Sequence, residues 1–260
     1  MKRIIFSIYT NSIEDHDSSS EYKREQFKRY KNHLEEAQRE YATFCGADYD
    51  LYTTAETNYD IIQFDKLRRM EHFAQFYDEV IYMDFDMVPI TKTKNIFEVF
   101  DLNSICAYAF DRTPDKDTLK WALEKFHRFG HQNVYCKSCA KNAMLLLDDI
   151  YGLPTLINTG IVAGNKYSIG LLKFSENFDT LVDKLFQAKE DNLYPEEIYH
   201  KWRPNNEVFI TYLIEKYNIP FTNIGQPWNF MLDRACPEPS AGAYMWHHVN
   251  KEFELSFGKL

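Results

Sequence analysis

The chain has 260 residues, a formal charge of −9, 45% hydrophobic and 27% charged residues, and many aromatics, with 18 Tyr and 20 Phe. That length supports one large domain or two small ones with a substantial core, and the acidic balance argues against a large nucleic-acid surface, which needs clustered Lys and Arg. No apolar run reaches the length of a membrane span, and the N-terminal MKRIIFSIYTNS turns polar too soon for a signal peptide.

RIIFSIYT (3–10) reads as a short, β-branched, buried strand. The polar stretch NSIEDHDSSS follows, then a helical pattern from about Glu21 to Phe44, ended by Gly46. DYDLYTT (48–54) reads as a second strand. Residues 63–79 form a helix, with Leu67, Met70, Ala74 and Tyr77 on one face. VIYMDFD (80–86) fits a strand buried on both faces. Strand and helix alternating over this span predict an α/β domain with a mostly parallel sheet. Ligands in such sheets lie outside the carboxyl ends of the strands. SICAYAF (104–110) and TLINTGIVAGN (155–165) read as further strands, 115–150 as helical and irregular, and 168–190 and 205–217 as helices; the tail from 218 is loop-rich. No repeat or linker divides the chain, so a single domain is expected. Five sparse cysteines and the lack of any Asn-x-Ser/Thr sequon predict a reduced, cytoplasmic protein.

The chemistry concentrates in YMDFDMVPI (82–90). Residues two apart on a strand share a side, so Asp84 and Asp86 are expected to converge while Phe85 points away. Converging carboxylates at a ligand edge suit a hard divalent cation, Mn²⁺ or Mg²⁺, with open positions for phosphate oxygens. The bland alternative is a strand-end turn whose acids cap amides or face water. Lys66 and Arg69, three apart on the preceding helix, share a face and form a basic counterpart.

The helix followed by VIYMDFDMVPI resembles the Asp-x-Asp segment of GT-A fold glycosyltransferases, especially glycogenin-like and lipopolysaccharide galactosyltransferase-like enzymes. In the same order along the chain, LINTGIVAGN resembles their Asn-x-Gly segment behind the donor sugar, NNEVFITYLI the acidic-amide turn that opens a later helix, and QPWNF the Leu-Pro-x-x-Trp/Tyr-Asn stretch. A chain without an anchor is more like the bacterial members, or those carried by large DNA viruses of algae. The resemblance implies a Rossmann-like α/β fold in one domain, with a nucleotide-binding half over about 1–100 and an acceptor half over about 101–260. It implies transfer of a sugar from a nucleotide diphosphate sugar to a glycan or other hydroxyl acceptor. It further implies that Asp84 and Asp86 hold the metal, that Tyr9 and Thr10 flank the base and ribose, and that Lys66, Arg69 and Phe85 line the donor. Asn158 and Gly160 are expected at the sugar, and Glu207 or Asp111 as a base if the enzyme inverts. The family often places a metal-binding His near the C-terminus, followed by Gly and Lys-Pro-Trp. Here YMWHHVNK lacks the Gly and the Pro-Trp; the likeness points to His248 as third ligand and to Lys251 on the diphosphate.

FHRFGHQNVYCKSC holds a rival set, His127, His131, Cys136 and Cys139. The Cys-x-x-Cys suits zinc, but the two ligand pairs lie closer together than zinc sites usually place them. Two other functions fit the residues less well. A metal-dependent nucleotidyltransferase or phosphohydrolase would also use paired aspartates, yet the N-terminal loop has no Gly. A sugar-binding or interaction domain would not need an intact Asp pair.

Overall fold

The computed structural model describes residues 1–10, 18–54, 59–90, 94–110, 134–191, 194, 196–232 and 242–258. Strand β1 (Arg3–Thr10) is buried almost throughout. Its Ile4, Phe6 and Ile8 enter one apolar cluster and Ile5 another, the period of two expected of a strand covered on both faces. Helix α1 (Ser18–Phe44) follows and stops at Gly46, whose φ of 66° is left-handed. Next come β2 (Asp48–Thr54), α2 (Tyr59–Phe73), β3 (Glu79–Met83), β4 (Met87–Pro89), α3 (Ile96–Val99) and β5 (Ile105–Phe110). The second half contains α4 (Val134–Leu146), β6 (Leu156–Asn165), α5 (Lys166–Leu172), α6 (Phe174–Glu190), α7 (Glu196–Tyr199) and α8 (Asn206–Lys216). It ends with β7 (Phe221–Asn223), a 3-10 turn at Gln226–Trp228, β8 (Phe230–Met231), β9 (Met245–His247) and α9 (Glu254–Phe257).

Six strands form the central sheet in the order β2-β1-β3-β6-β5-β7. Pairs β1/β2, β1/β3 and β5/β7 are parallel; β6 runs antiparallel to both β3 and β5. This mixed, mostly parallel α/β sheet matches the expected class. The reversal at β6 matters for the site. It lays Ile161 opposite Met83, so the first part of β6 crosses the carboxyl end of β3. There β6 is irregular: Ala107 pairs with Val162 but Tyr108 with Asn158, which leaves Thr159, Gly160 and Ile161 bulged on the β5 side. Bulges of this kind re-aim side chains at the rims of sheets.

Helix α2 covers one face of the sheet together with α4, α5, α6 and α8. Helix α8 is buried along nearly its whole length, with Asn206, Glu207 and Thr211 among the buried residues. The opposite face packs on Tyr41 and Ala42 of α1.

Several expected boundaries shift. The strand expected over 80–86 ends at Met83; Met87 N donates to Asp84 O at 3.0 Å, closing a tight turn before β4. The helix expected over 63–79 ends at Phe73. The one expected over 168–190 breaks at Lys173, whose φ is 44°. The tail expected to be loops contributes β8 and β9, which join β4 in a second sheet of order β4-β9-β8. No helix among the described residues is long and apolar enough to cross a membrane.

Candidate metal centre

Asp84 and Asp86 do converge, but by the turn rather than by the pleat of a strand. The turn is held from below by Gln38 of α1, a fully buried side chain. Its Nε2 donates to Asp84 O and Met87 O, both at 2.9 Å, while Ser7 Oγ donates to its Oε1 at 2.6 Å. Asp84 N donates across to Gly160 O at 2.7 Å, fixing the turn to the bulge of β6. Phe85, between the acids, turns away into a cluster with Tyr9 and Phe27.

The second sheet supplies the third group. Met87 of β4 pairs with His247 of β9, so the residue just after Asp86 faces a histidine. His247 Nε2 lies 3.4 Å from Asp86 Oδ2 and 3.9 Å from Asp84 Oδ2. Among the described residues, these are the three that bring ligand atoms within 4.8 Å of one another. His248, the expected ligand, does not join them. Its ring is buried, its Nε2 meets Ser256 Oγ at 2.7 Å, and burial drives its pKa down to about 4. Alternation explains the choice: neighbouring residues of a strand face opposite ways, and the register of β9 presents His247.

The ring of His247 is oriented by a chain of hydrogen bonds with one sense. Glu207 only accepts when ionised: Lys137 Nζ donates to its Oε2 at 2.6 Å and Asn158 Nδ2 to its Oε1 at 3.0 Å. Asn158 Oδ1 therefore faces the other way and accepts from Gly160 N at 3.0 Å and Asn229 Nδ2 at 2.6 Å. That leaves Asn229 Oδ1 to meet His247 Nδ1 at 2.8 Å. In the neutral ring the proton then sits on Nδ1 and the Nε2 lone pair points between the two carboxylates, the arrangement of a metal-binding imidazole with its outer partner. Gly160 makes room for it. A Cβ there would lie 2.9 Å from His247 Cε1 and 3.0 Å from its Nδ1.

Two lysines complete the electrostatics. Lys66 Nζ donates to Asp84 Oδ1 at 3.0 Å and to Thr159 Oγ1 at 3.2 Å, and Tyr82 Oη adds a bond to the same Oδ1 at 2.5 Å. Lys251 Nζ pairs with Asp86 Oδ2. Burial opposes ionisation of Asp86, but the Lys251 ammonium, and after it His247, hold its carboxyl well below the usual range. Two carboxylate oxygens and an imidazole nitrogen form a donor set that fits a divalent cation.

No protein-family model matches the chain, and no curated protein does. Solved structures resemble it. A glycosyltransferase involved in the glycosylation of the major capsid of PBCV-1 shares 15% identity at TM-score 0.48, over 99% of this chain and 100% of that one. Mouse xyloside xylosyltransferase 1 shares 12% at TM-score 0.46, over 96% and 99%. The galactosyltransferase LgtC, in complex with donor and acceptor sugar analogs, shares 10% at TM-score 0.44, over 95% and 87%.

The remaining expected residues divide by place. Tyr9 and Thr10 end β1 on the same edge as the turn, with the Tyr9 ring packed on Phe85 and Phe27. Arg69 packs on Tyr52, its guanidinium carbon 3.0 Å from the ring centroid. Asp111, His127 and His131 lie outside the described residues. Cys136 and Cys139 are buried thiols of α4, their pKa pushed up to about 12 and about 11, chiefly by burial. Sequence reasoning missed Gln38, Asn229 and Lys137. A groove lined by Met1, Asp78, Glu79 and Tyr167 opens at the opposite end of β3 and shares no residue with the centre.

Proposed function

We propose that this protein is a metal-dependent glycosyltransferase of the GT-A class, which moves a sugar from a nucleoside diphosphate sugar to an acceptor hydroxyl. The observation that carries the reading is the convergence of Asp84 Oδ2, Asp86 Oδ2 and His247 Nε2 at the carboxyl edge of β3, with Lys66 and Lys251 beside them. Asp84, Asp86 and His247 would hold Mn²⁺ or Mg²⁺, and the ion when bound neutralises charge on the departing diphosphate. Lys66 keeps Asp84 turned so that Oδ2 faces His247 Nε2. Tyr9 and Thr10, at the end of the neighbouring strand, would border the nucleoside. Asn158, expected at the donor sugar, has its amide engaged by Glu207, Gly160 and Asn229.

Glu207 suits a supporting role better than that of a free base. Both of its carboxylate oxygens are engaged, one by Lys137 and one by Asn158. Its hold on Asn158 passes through Asn229 to the ring of His247.

The test is calorimetric titration with a panel of nucleoside diphosphate sugars in the presence of Mn²⁺. One or more should bind, and binding should vanish in excess EDTA. Donor turnover that survives EDTA undiminished, or binding confined to free sugars, would overturn the reading.

A further inference from the structure

The two lysines of the centre hold different oxygens. Lys66 Nζ is on Asp84 Oδ1, the oxygen shared with Tyr82 Oη, while Asp84 Oδ2 is the one that looks toward His247 Nε2 at 3.9 Å. Lys251 Nζ is on Asp86 Oδ2, the same oxygen that lies 3.4 Å from His247 Nε2. A cation shared by Asp84 Oδ2, Asp86 Oδ2 and His247 Nε2 would therefore compete with the Lys251 ammonium for one oxygen, while Lys66 sits on the other oxygen of Asp84. The four side chains sum to zero charge, two ammoniums against two carboxylates, so the centre is electrostatically complete before a divalent ion arrives.

The local chain fits an ammonium that can leave. Lys251 has a left-handed φ of 61°, unusual for a side-chain-bearing residue, and closes a tight turn in which its N donates to His248 O at 2.8 Å. The backbone on either side is anchored: His248 N donates to Asp86 O at 3.1 Å, and Phe253 is buried against Phe27 and Tyr30. Only the flexible stem of Lys251 must move for Nζ to depart, and that side chain keeps 19% exposure. Lys66 is tied down further, by Thr159 as well as Asp84.

We infer that Lys251 is an exchangeable counter-ion of the centre: a divalent cation displaces its ammonium from Asp86 Oδ2, while Lys66 stays on Asp84. The inference rests on the metal reading of Asp84, Asp86 and His247. Its consequence is a coupling. The displaced ammonium is left beside the ion without a carboxylate, available to an anion that the ion also binds, such as a diphosphate. Metal alone then binds weakly, because it must first undo an ion pair.

The experiment measures Mn²⁺ binding by calorimetry to wild type, Lys251→Met and Lys251→Asn, with thermal unfolding as a check that each variant folds. Asn is included because it tolerates the left-handed backbone. Both variants should bind Mn²⁺ about tenfold more tightly than wild type, the size expected when a charge-assisted contact no longer competes. In parallel, the wild-type protein is labelled with an amine-reactive acetylating reagent, with and without saturating Mg²⁺, and lysines are read by mass spectrometry. Lys251 should become several-fold more reactive with Mg²⁺, and Lys66 should stay protected. Variants that bind Mn²⁺ no more tightly than wild type would overturn the exchange and leave the metal centre standing. Tighter binding with Lys251 still protected would reduce the effect to through-space charge and also overturn it. Failure of wild type to bind Mn²⁺ or Mg²⁺ at all would instead remove the metal reading itself.

Discussion

Between α4 and α8, Lys141 is wholly buried and gives hydrogen bonds to Glu215 Oε1 at 2.6 Å and Leu153 O at 2.5 Å. Leu153 N returns a bond to Glu215 Oε2 at 2.9 Å, and Thr155 Oγ1 reaches Oε1 at 3.4 Å. At the sheet edge, Lys251 and Asp86 also pair, yet the same carboxylate oxygen faces the Nε2 of His247. Both are Lys–carboxylate pairs with little exposure. The first is closed, every partner being supplied by the fold. The second is open, with an imidazole nitrogen aimed at the same oxygen that the ammonium holds. Pairing alone does not distinguish a structural ion pair from a functional one; the direction of the leftover lone pairs does.

The largest effect should come from breaking the closed pair. Burial works against the charge on Lys141 and lowers its pKa, and Glu215 opposes this only in part. Lys141→Met leaves Glu215 buried without its counter-charge, which costs about 3–5 kcal/mol. Urea unfolding should show that loss, and the double variant Lys141→Met with Glu215→Leu should recover much of it. Mn²⁺ affinity of the folded fraction should be unchanged. A single variant that loses less than about 1 kcal/mol would put the two pairs in the same class and remove the contrast.

The open centre should respond in binding, not in stability. Asp86→Asn and His247→Ala should each weaken Mn²⁺ binding by about a hundredfold or more, since even outer partners of metal ligands carry roughly 10–100-fold. His248→Phe should leave Mn²⁺ binding nearly unchanged. The reverse order, with His248→Phe losing the ion and His247→Ala keeping it, would mean that β9 pairs with β4 in the other register.

That choice marks the limit of what the sequence could tell. Strand and helix content up to about residue 110 follows from local runs such as RIIFSIYT and VIYM, whose periodicity is complete in itself. The convergence of Asp84 and Asp86 was readable from their spacing, although the geometry behind it is a turn. Whether His247 or His248 faces them depends on the pairing of Met87 with a strand 160 residues later, which no local pattern encodes. Gln38 sits in a helix full of polar residues and differs from them only in being buried beneath the turn. Asn229 lies inside QPWNF, a stretch singled out for its resemblance but without a role attached to the amide. Its part in orienting His247 depends on Glu207 fixing the sense of two intervening amides. The short strands β8 and β9 have two and three residues, too few for a period to register.

The smallest effect is a pH dependence in the closed region. Asp148 accepts from Lys184 Nζ at 2.8 Å and Tyr212 Oη at 2.5 Å, and Lys216 Nζ stands 3.2 Å away. Burial alone would raise its pKa; the bonds from Lys184, Tyr212 and Lys216 outweigh burial and lower it from 3.8. A carboxylate whose folded pKa lies below its unfolded value binds fewer protons in the folded state. Stability from it is therefore present in full above 3.8 and is lost as pH falls through the folded value. Asp148→Asn should cost about 1–2 kcal/mol at neutral pH, discounted for partial exposure. Unfolding free energies of wild type and variant, measured from pH 7 downward, should keep a constant gap to about pH 4 and then converge. A gap that stayed constant well below the unfolded value would show that packing of the side chain, not its charge, holds this corner of α6 and α8 together.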